Sequence, residues 1–188
     1  YTLWHTLSLH DALPILVPDV VASNFLLREG DTVADLGAGS GFFLKALSTA
    51  VGDSGRVYAC EIQKQLVEKL GEQARVQGLG NIHPLWCDLE EPEGIPLQRE
   101  SLDAVTLINT LFLIEDKEAM ATEVRRVLRR GGTLHVVDWT ESFGGLGPQP
   151  QQVFGKDAAT ALFESHEFVY EREYPAGDHH YGISFRKA

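Results

Sequence analysis

Along the chain, short apolar runs take turns with longer stretches in which apolar residues recur every third or fourth position. Runs of the first kind are DTVADL (31–36), GRVYACE (55–61), NIHPLWCD (81–88), LDAVTLIN (102–109) and GTLHVVDW (132–139). Each is bounded by glycine or polar residues and predicts a buried strand. The fourth is apolar enough to be covered on both faces, as in a parallel sheet. Pro84, with no N–H to give a neighbour, predicts an edge position for the third. The longer stretches predict helices. PDVVASNFLLRE, from Pro18 to about Arg28, has proline at its start, an acid in its first turn and Gly30 to stop it. FFLKALSTAV (42–51), QKQLVEKLGEQARVQGL (63–79) and KEAMATEVRRVLRR (117–130) follow. The second of these puts Leu66, Leu70, Ala74 and Val76 largely on one side, and the third is ended by Gly131 and Gly132. Strands alternating with helices imply a parallel sheet joined by right-handed crossovers.

After Trp139 the pattern changes. A Gly/Pro-rich loop, TESFGGLGPQPQQ, precedes a helix DAATALFESH (157–166), and two runs, EFVYEREY and HYGISFRK, are separated by only PAGDH. Strands that close in sequence can pair only as an antiparallel hairpin. The expectation is an α/β fold: a three-layer αβα sandwich around one seven-stranded, mostly parallel sheet with a C-terminal antiparallel hairpin. At 188 residues, with no linker or repeat, one domain is expected. The first stretch, YTLWHTLSLHDALPI, has no initiating Met and no clear period. It resembles translated sequencing-adapter read-through, which would make residues 1–14 non-native and 15–188 the domain; an ordinary N-terminal helix using Leu3, Leu7 and Leu9 is the plainer alternative.

Charge narrows the partners. The 27 acidic and 16 basic residues give a net charge of −11, and the basic residues are scattered rather than clustered in a stripe, which argues against nucleic acid. No run approaches the roughly 18 apolar residues of a membrane span, so a cytoplasmic location is expected. Cys60 and Cys87 lie near strand ends without metal-ligand spacing and are read as free, buried thiols; no metal is expected.

The chemistry concentrates in VADLGAGSGFF (33–43). A dinucleotide loop wants Gly-x-Gly-x-x-Gly. Gly37 and Gly39 fit, but Phe42 stands at the third position and the glycine falls at Gly41. Asp35, two residues before the first glycine, is poorly placed beside a pyrophosphate and suits a ligand carrying an ammonium group. VADLGAGSG, followed by CEIQ, CDLE, LINTLF and VLRRGGTLHVVDW, resembles the class I, seven-stranded S-adenosylmethionine (SAM)-dependent methyltransferases from about Val17 to the C-terminus. Within them the chain is similar to the small proteins grouped loosely with the quinone-biosynthesis C-methyltransferases.

That resemblance implies a Rossmann-like methyltransferase fold, SAM as cofactor and a small-molecule methyl acceptor. It implies that Asp35 faces the methionyl ammonium while Gly37, Ala38 and Gly39 bring the backbone against the cofactor. Glu61, 24 positions after Gly37, would accept both ribose hydroxyls, and Ile62 would pack on the adenine. Asp88, with the Leu89 backbone beside it, would lie near the adenine amino group, and Asn109 under the reacting centre, with Thr110 and Leu111 along the same wall. All these positions are carboxyl ends of parallel strands, where open α/β sheets bind ligands. Methyl transfer from a sulfonium needs alignment and exclusion of water more than a base. If the acceptor must lose a proton, the candidates are Asp138, Glu141, His179, His180 and Tyr181, although Asp178 to Tyr181 also reads as a plain polar hairpin tip. Residues 139–154, with Trp139, Phe143 and Phe154, are the candidate lid over a partly apolar acceptor. An RNA or protein substrate, or a module that binds SAM with little turnover, is the alternative.

Overall fold

In a computed structural model, residues 16–143 and 147–188 are described. The expectation about the first fourteen residues lies outside them. Five helices and seven strands follow in the order α1 (Pro18–Ser23), β1 (Thr32–Leu36), α2 (Leu44–Val51), β2 (Arg56–Glu61), α3 (Lys64–Val76), β3 (Ile82–Trp86), β4 (Leu102–Ile108), α4 (Lys117–Val127), β5 (Leu128–Trp139), α5 (Lys156–Ser165), β6 (Phe168–Pro175) and β7 (His180–Lys187). The strands form one sheet in the order β3-β2-β1-β4-β5-β7-β6. β1 to β5 are parallel, and β7 runs antiparallel to both its neighbours. The sheet therefore has the seven strands and terminal hairpin that the apolar pattern predicts, with Pro84 on an edge strand.

Alternation along β1 shows how the layers arise. Val33 packs with Val21, Phe25, Leu44, Leu47 and Leu70 on the face covered by α1, α2 and α3. Ala34 and Leu36 point the other way, toward Met120, Val124, Leu162 and Phe163 of α4 and α5. A strand buried on both faces needs no polar alternate, which is why β1 and β4 read as continuous apolar runs.

Helix ends differ from the sequence reading by a few residues, α2 starting at Leu44 and α3 ending at Val76, and in two places the cause is visible. α1 ends at Ser23 rather than near Arg28. Ser23 Oγ and Asn24 Nδ2 both donate to the Val20 carbonyl, competing with the helical bond there. Phe25, fully buried against His135, then pulls the chain off the helical path, and Leu26 takes φ 53°. α4 ends at Val127, and the chain enters β5 directly at Leu128, whose carbonyl accepts from the buried Lys187 ammonium. Gly131, at φ 70°, lies where the β4–β5 register slips by a bulge instead of stopping a helix. A short 3-10 turn, Leu111–Leu113, follows β4. No helix among the described residues is long and apolar enough to cross a membrane.

Candidate functional site

A cavity of about 470 Å³ opens at the carboxyl ends of β1 to β4. It is lined by Asp35, Gly37, Ala38 and Gly39 from the first strand and its loop, Glu61 and Ile62 from the second, Asp88 and Leu89 from the third, and Asn109 from the fourth. The nine residues picked out along some 75 positions of sequence thus meet around one space. Its described lining holds four carboxylates, the fourth being Glu90, and no basic side chain.

Asp35 is 3% exposed and accepts a 2.8 Å bond from the Thr106 hydroxyl on the neighbouring strand. Burial pushes its carboxyl up to about 6, with the Thr106 bond pulling the other way. The loop beyond is fixed by the backbone: Gly37 and Ala38 both donate to the Cys60 carbonyl at 2.9 Å. Gly37 takes φ 80°, and a Cβ there would lie 2.7 Å from Thr110 Oγ1, so any side chain is strained there. A Cβ at Gly41 would meet Leu70 Cδ2 at 2.8 Å; the third glycine lets the loop lie close to α3.

Glu61 links loop and strand. Gly39 N–H donates to its Oε2 at 3.0 Å and Gln63 N–H to its Oε1 at 2.9 Å, which leaves lone pairs on both oxygens for further donors. Asp88 Oδ1 accepts from Glu90 N–H at 3.1 Å, a side-chain turn that fixes the carboxylate at the strand end. Ile62 is half exposed at the mouth, and the Trp86 indole donates to its carbonyl at 2.7 Å. Asn109 adopts φ 54°, a conformation asparagine tolerates, and its buried Oδ1 has no hydrogen-bond partner among the described residues. A buried, unmatched acceptor beside a cavity that carries four carboxylates and no basic side chain suits a donor-bearing, positively charged group.

Sequence reasoning missed part of the wall. Leu16, Phe42, Phe43, Leu113 and Ile114 supply apolar surface, and Cys60 and Cys87, free and buried, lie on the floor. Hydrogen bonding with the Cys87 thiol, and then burial, hold Cys60 above its usual value. Thr110 lines the cavity, while Leu111 is buried behind it. Thr106 carries no local signal, because only the pairing of β1 with β4 brings it opposite Asp35.

The candidate bases lie elsewhere among the described residues. Asp138 is buried and accepts from Leu111 N–H at 2.8 Å and Trp139 N–H at 2.8 Å, holding the turn after β4 to the end of β5. Burial raises its carboxyl to about 6. Tyr181 donates to the Phe154 carbonyl and is pushed upward, mainly by burial. His179 lies 2.7 Å from Glu141 Oε1 and stacks on Phe143 at 3.7 Å. His180 packs on Trp139, and its Nδ1 is 2.9 Å from the Asp178 carbonyl. None of these four, nor Glu141, lines the cavity. The candidate lid passes through residues 144–146, outside the described residues, and its Trp139, Phe143 and Phe154 are taken up by these neighbours.

Comparison with known proteins decides the family. The family described as a methyltransferase domain matches residues 34–136, more than half of the chain. The chain belongs to that family. It is 30% identical over 115 residues to the ubiquinone/menaquinone biosynthesis C-methyltransferase UbiE of Vibrio campbellii, a match covering 61% of this chain and 43% of the relative. The chain spans about half the length of the curated relatives it matches. Its structure is similar to that of a SAM-dependent methyltransferase from Aquifex aeolicus, with a TM-score of 0.85, 28% identity, and coverage of 93% of this chain and 91% of that one. The geranyl diphosphate C-methyltransferase of Streptomyces coelicolor A3(2), solved with S-adenosyl-L-homocysteine, shares the fold at a TM-score of 0.72 and 11% identity, over 91% of this chain and 78% of that one. The methyltransferase-domain match begins inside β1, one residue before Asp35, and ends within β5. It spans the carboxyl ends of β1 to β4, where the cavity lies.

Proposed function

We propose that the chain binds SAM in the cavity at the carboxyl ends of β1 to β4 and transfers its methyl group to a small-molecule acceptor. The observation that carries this reading is the sequence of acceptors along the cavity: Asp35, Glu61, Asp88 and the unpartnered Asn109 Oδ1 on four adjacent strand ends. They suit a ligand with an ammonium group at one end, a diol in the middle and an exocyclic amine at the other. When bound, SAM supplies a methyl already activated by a positive sulfur, which leaves with the bonding pair as a neutral thioether.

The protein's part is then orientation. Asp35 and Asn109 hold the cationic end, Glu61 accepts the two ribose hydroxyls with the lone pairs its backbone donors leave free, and Asp88 fixes the adenine edge. Phe42, Leu113 and Ile114 shield the space from water. Among the described lining carboxylates Asp35, Glu61 and Asp88 serve this frame and Glu90 is held by the Glu115 and Asp116 N–H groups, so the acceptor is one that reacts without a dedicated base or brings its own acidity. The V. campbellii relative is named for ubiquinone and menaquinone biosynthesis, so quinols are the first acceptors to screen.

Calorimetry with SAM, S-adenosylhomocysteine and NAD tests the cofactor: binding of the first two and not the third is expected, and binding of NAD alone would overturn the reading. A labelled-methyl screen over quinols, phenols, amines and thiols tests the transfer. Binding of SAM with no transfer to any of these would leave a cofactor-binding module.

A further inference from the structure

At the opposite end of the sheet, the α1–β1 connection and the starts of β4 and β5 face β6 and β7 across a second cavity of about 330 Å³. Four of the chain's 16 basic residues converge on it, Arg28, Arg129, Arg172 and Arg186, in a protein whose net charge is −11. Three acids accompany them. Asp103 takes the Arg129 side chain at 2.6 Å, Glu171 pairs with Arg186, and Asp31 accepts from the Arg28 backbone N–H at 2.8 Å. Four guanidiniums against three carboxylates leave one positive charge. Arg172 donates to the Asn24 carbonyl and lies over Tyr174, and the Arg28 guanidinium has no ion pair among the described residues.

The floor of this cavity breaks the apolar pattern of the sheet. Strand register sets His135 of β5 opposite Ser184 of β7, and Ser184 opposite Arg172 of β6, so one polar side chain from each of three adjacent strands shares a row. His135 is 2% exposed and Ser184 1%. Buried polar groups are normally paired, yet His135 Nδ1 and Ser184 Oγ have no partner among the described residues. His135 Nε2 lies 3.2 Å from the Thr133 hydroxyl. With that hydroxyl donating, the ring proton sits on Nδ1, and both orphaned atoms then offer donors. Burial and the nearby Arg172 push the imidazole down to about 3, so the ring itself is neutral. Apolar residues in this row would pack without leaving donors unmet, so the row makes physical sense when something that accepts hydrogen bonds completes it.

We propose that this cavity binds a small oxyanion, a phosphate or short carboxylate, free or carried on a metabolite. Arg28 and Arg172 hold its charge from the rim, and Ser184 Oγ and His135 Nδ1 donate to it from the floor. Charge-assisted bonds from guanidinium suit this geometry better than the single point charge of lysine. An ordered water bridging the two floor atoms is the competing occupant.

Calorimetry of the full chain with sodium phosphate and with sodium malonate, against sodium chloride at matched ionic strength, separates the two. One saturable site for either anion is expected, and the preferred anion tells phosphate from carboxylate chemistry. Arg28→Gln, on an exposed loop, and Ser184→Ala should each weaken it about tenfold or more while leaving SAM binding unchanged. Glu61→Ala should bind the anion as the parent does, so the outcome is independent of the cofactor reading. Heats no different from chloride would mean the cavity holds only water, and an affinity that neither variant moves would place the anion elsewhere; either result would overturn the proposal.

Discussion

Asp35 ties its environment to a measurable pH dependence. Its carboxyl is raised to about 6 because burial penalises the charged form more than the Thr106 bond favours it. A ligand ammonium requires the ionised form, so SAM affinity should be flat above neutrality and fall by up to about tenfold per unit as pH drops below about 6. Asp35→Asn should bind weakly and show no such slope between pH 5 and 8; calorimetry across that range checks both. Glu61→Ala should lower SAM affinity about a hundredfold, since two charge-assisted bonds are lost. Its unfolding midpoint should fall as well, because the Gly39 and Gln63 N–H groups lose their acceptor, and Glu61→Gln, which keeps an acceptor for them, separates the binding role from the structural one. Gly37→Ala tests the loop: φ 80° and a 2.7 Å approach to Thr110 predict a destabilisation of about 2 kcal/mol or more in urea unfolding, with cofactor affinity reduced as well. Asp35, Glu61 and the glycines were legible because their signals are local in sequence. Thr106, which sets the state of Asp35, was not, since its role exists only through strand pairing.

At the scale of elements, Asp138 joins β5 to the turn after β4, and so to the strand end that presents Asn109. Sequence position at a strand end made it a candidate base; in the fold its carboxylate lies outside the cavity lining and accepts from two backbone donors. Asp138→Ala leaves the Leu111 and Trp139 N–H groups unmet and should cost about 2–4 kcal/mol in urea unfolding. The sign of its pH effect follows from a folded value raised to about 6. The folded protein holds this proton more tightly than the unfolded chain, so the contribution is favourable in acid and is lost as pH rises from about 4 through 6. The change amounts to roughly 3 kcal/mol at most. Comparing the pH dependence of unfolding for the parent and Asp138→Asn should show a smaller slope in the variant. The end of α4 carries the same lesson. Val127 to Arg130 has helical composition, yet Leu128 is drawn into the sheet opposite Leu102, and tertiary pairing overrides local propensity.

The whole molecule depends on how the Pro-rich loop between β3 and β4 is held, because that loop follows Asp88. Arg126 of α4 donates to the Ile95 and Leu97 carbonyls and to Glu123, and both side chains of the pair are largely buried. Removing one partner strands the other, so Arg126→Ala should cost about 3–5 kcal/mol and also weaken SAM binding by freeing the loop. Thermal unfolding together with calorimetry distinguishes this from a local loss. By itself the sequence determined the strand and helix order, the edge position of β3, the terminal hairpin and the residues that ring the cavity. Period, proline placement and short motifs are all written in neighbouring positions. Only the tertiary structure decided which buried groups face one another: Thr106 against Asp35, Asp138 beneath the turn, and the row of His135, Ser184 and Arg172 at the far end. Those neighbours come together through strand pairing across a sheet, and residues 12 to 71 apart in sequence carry no mark of it until the chain has folded.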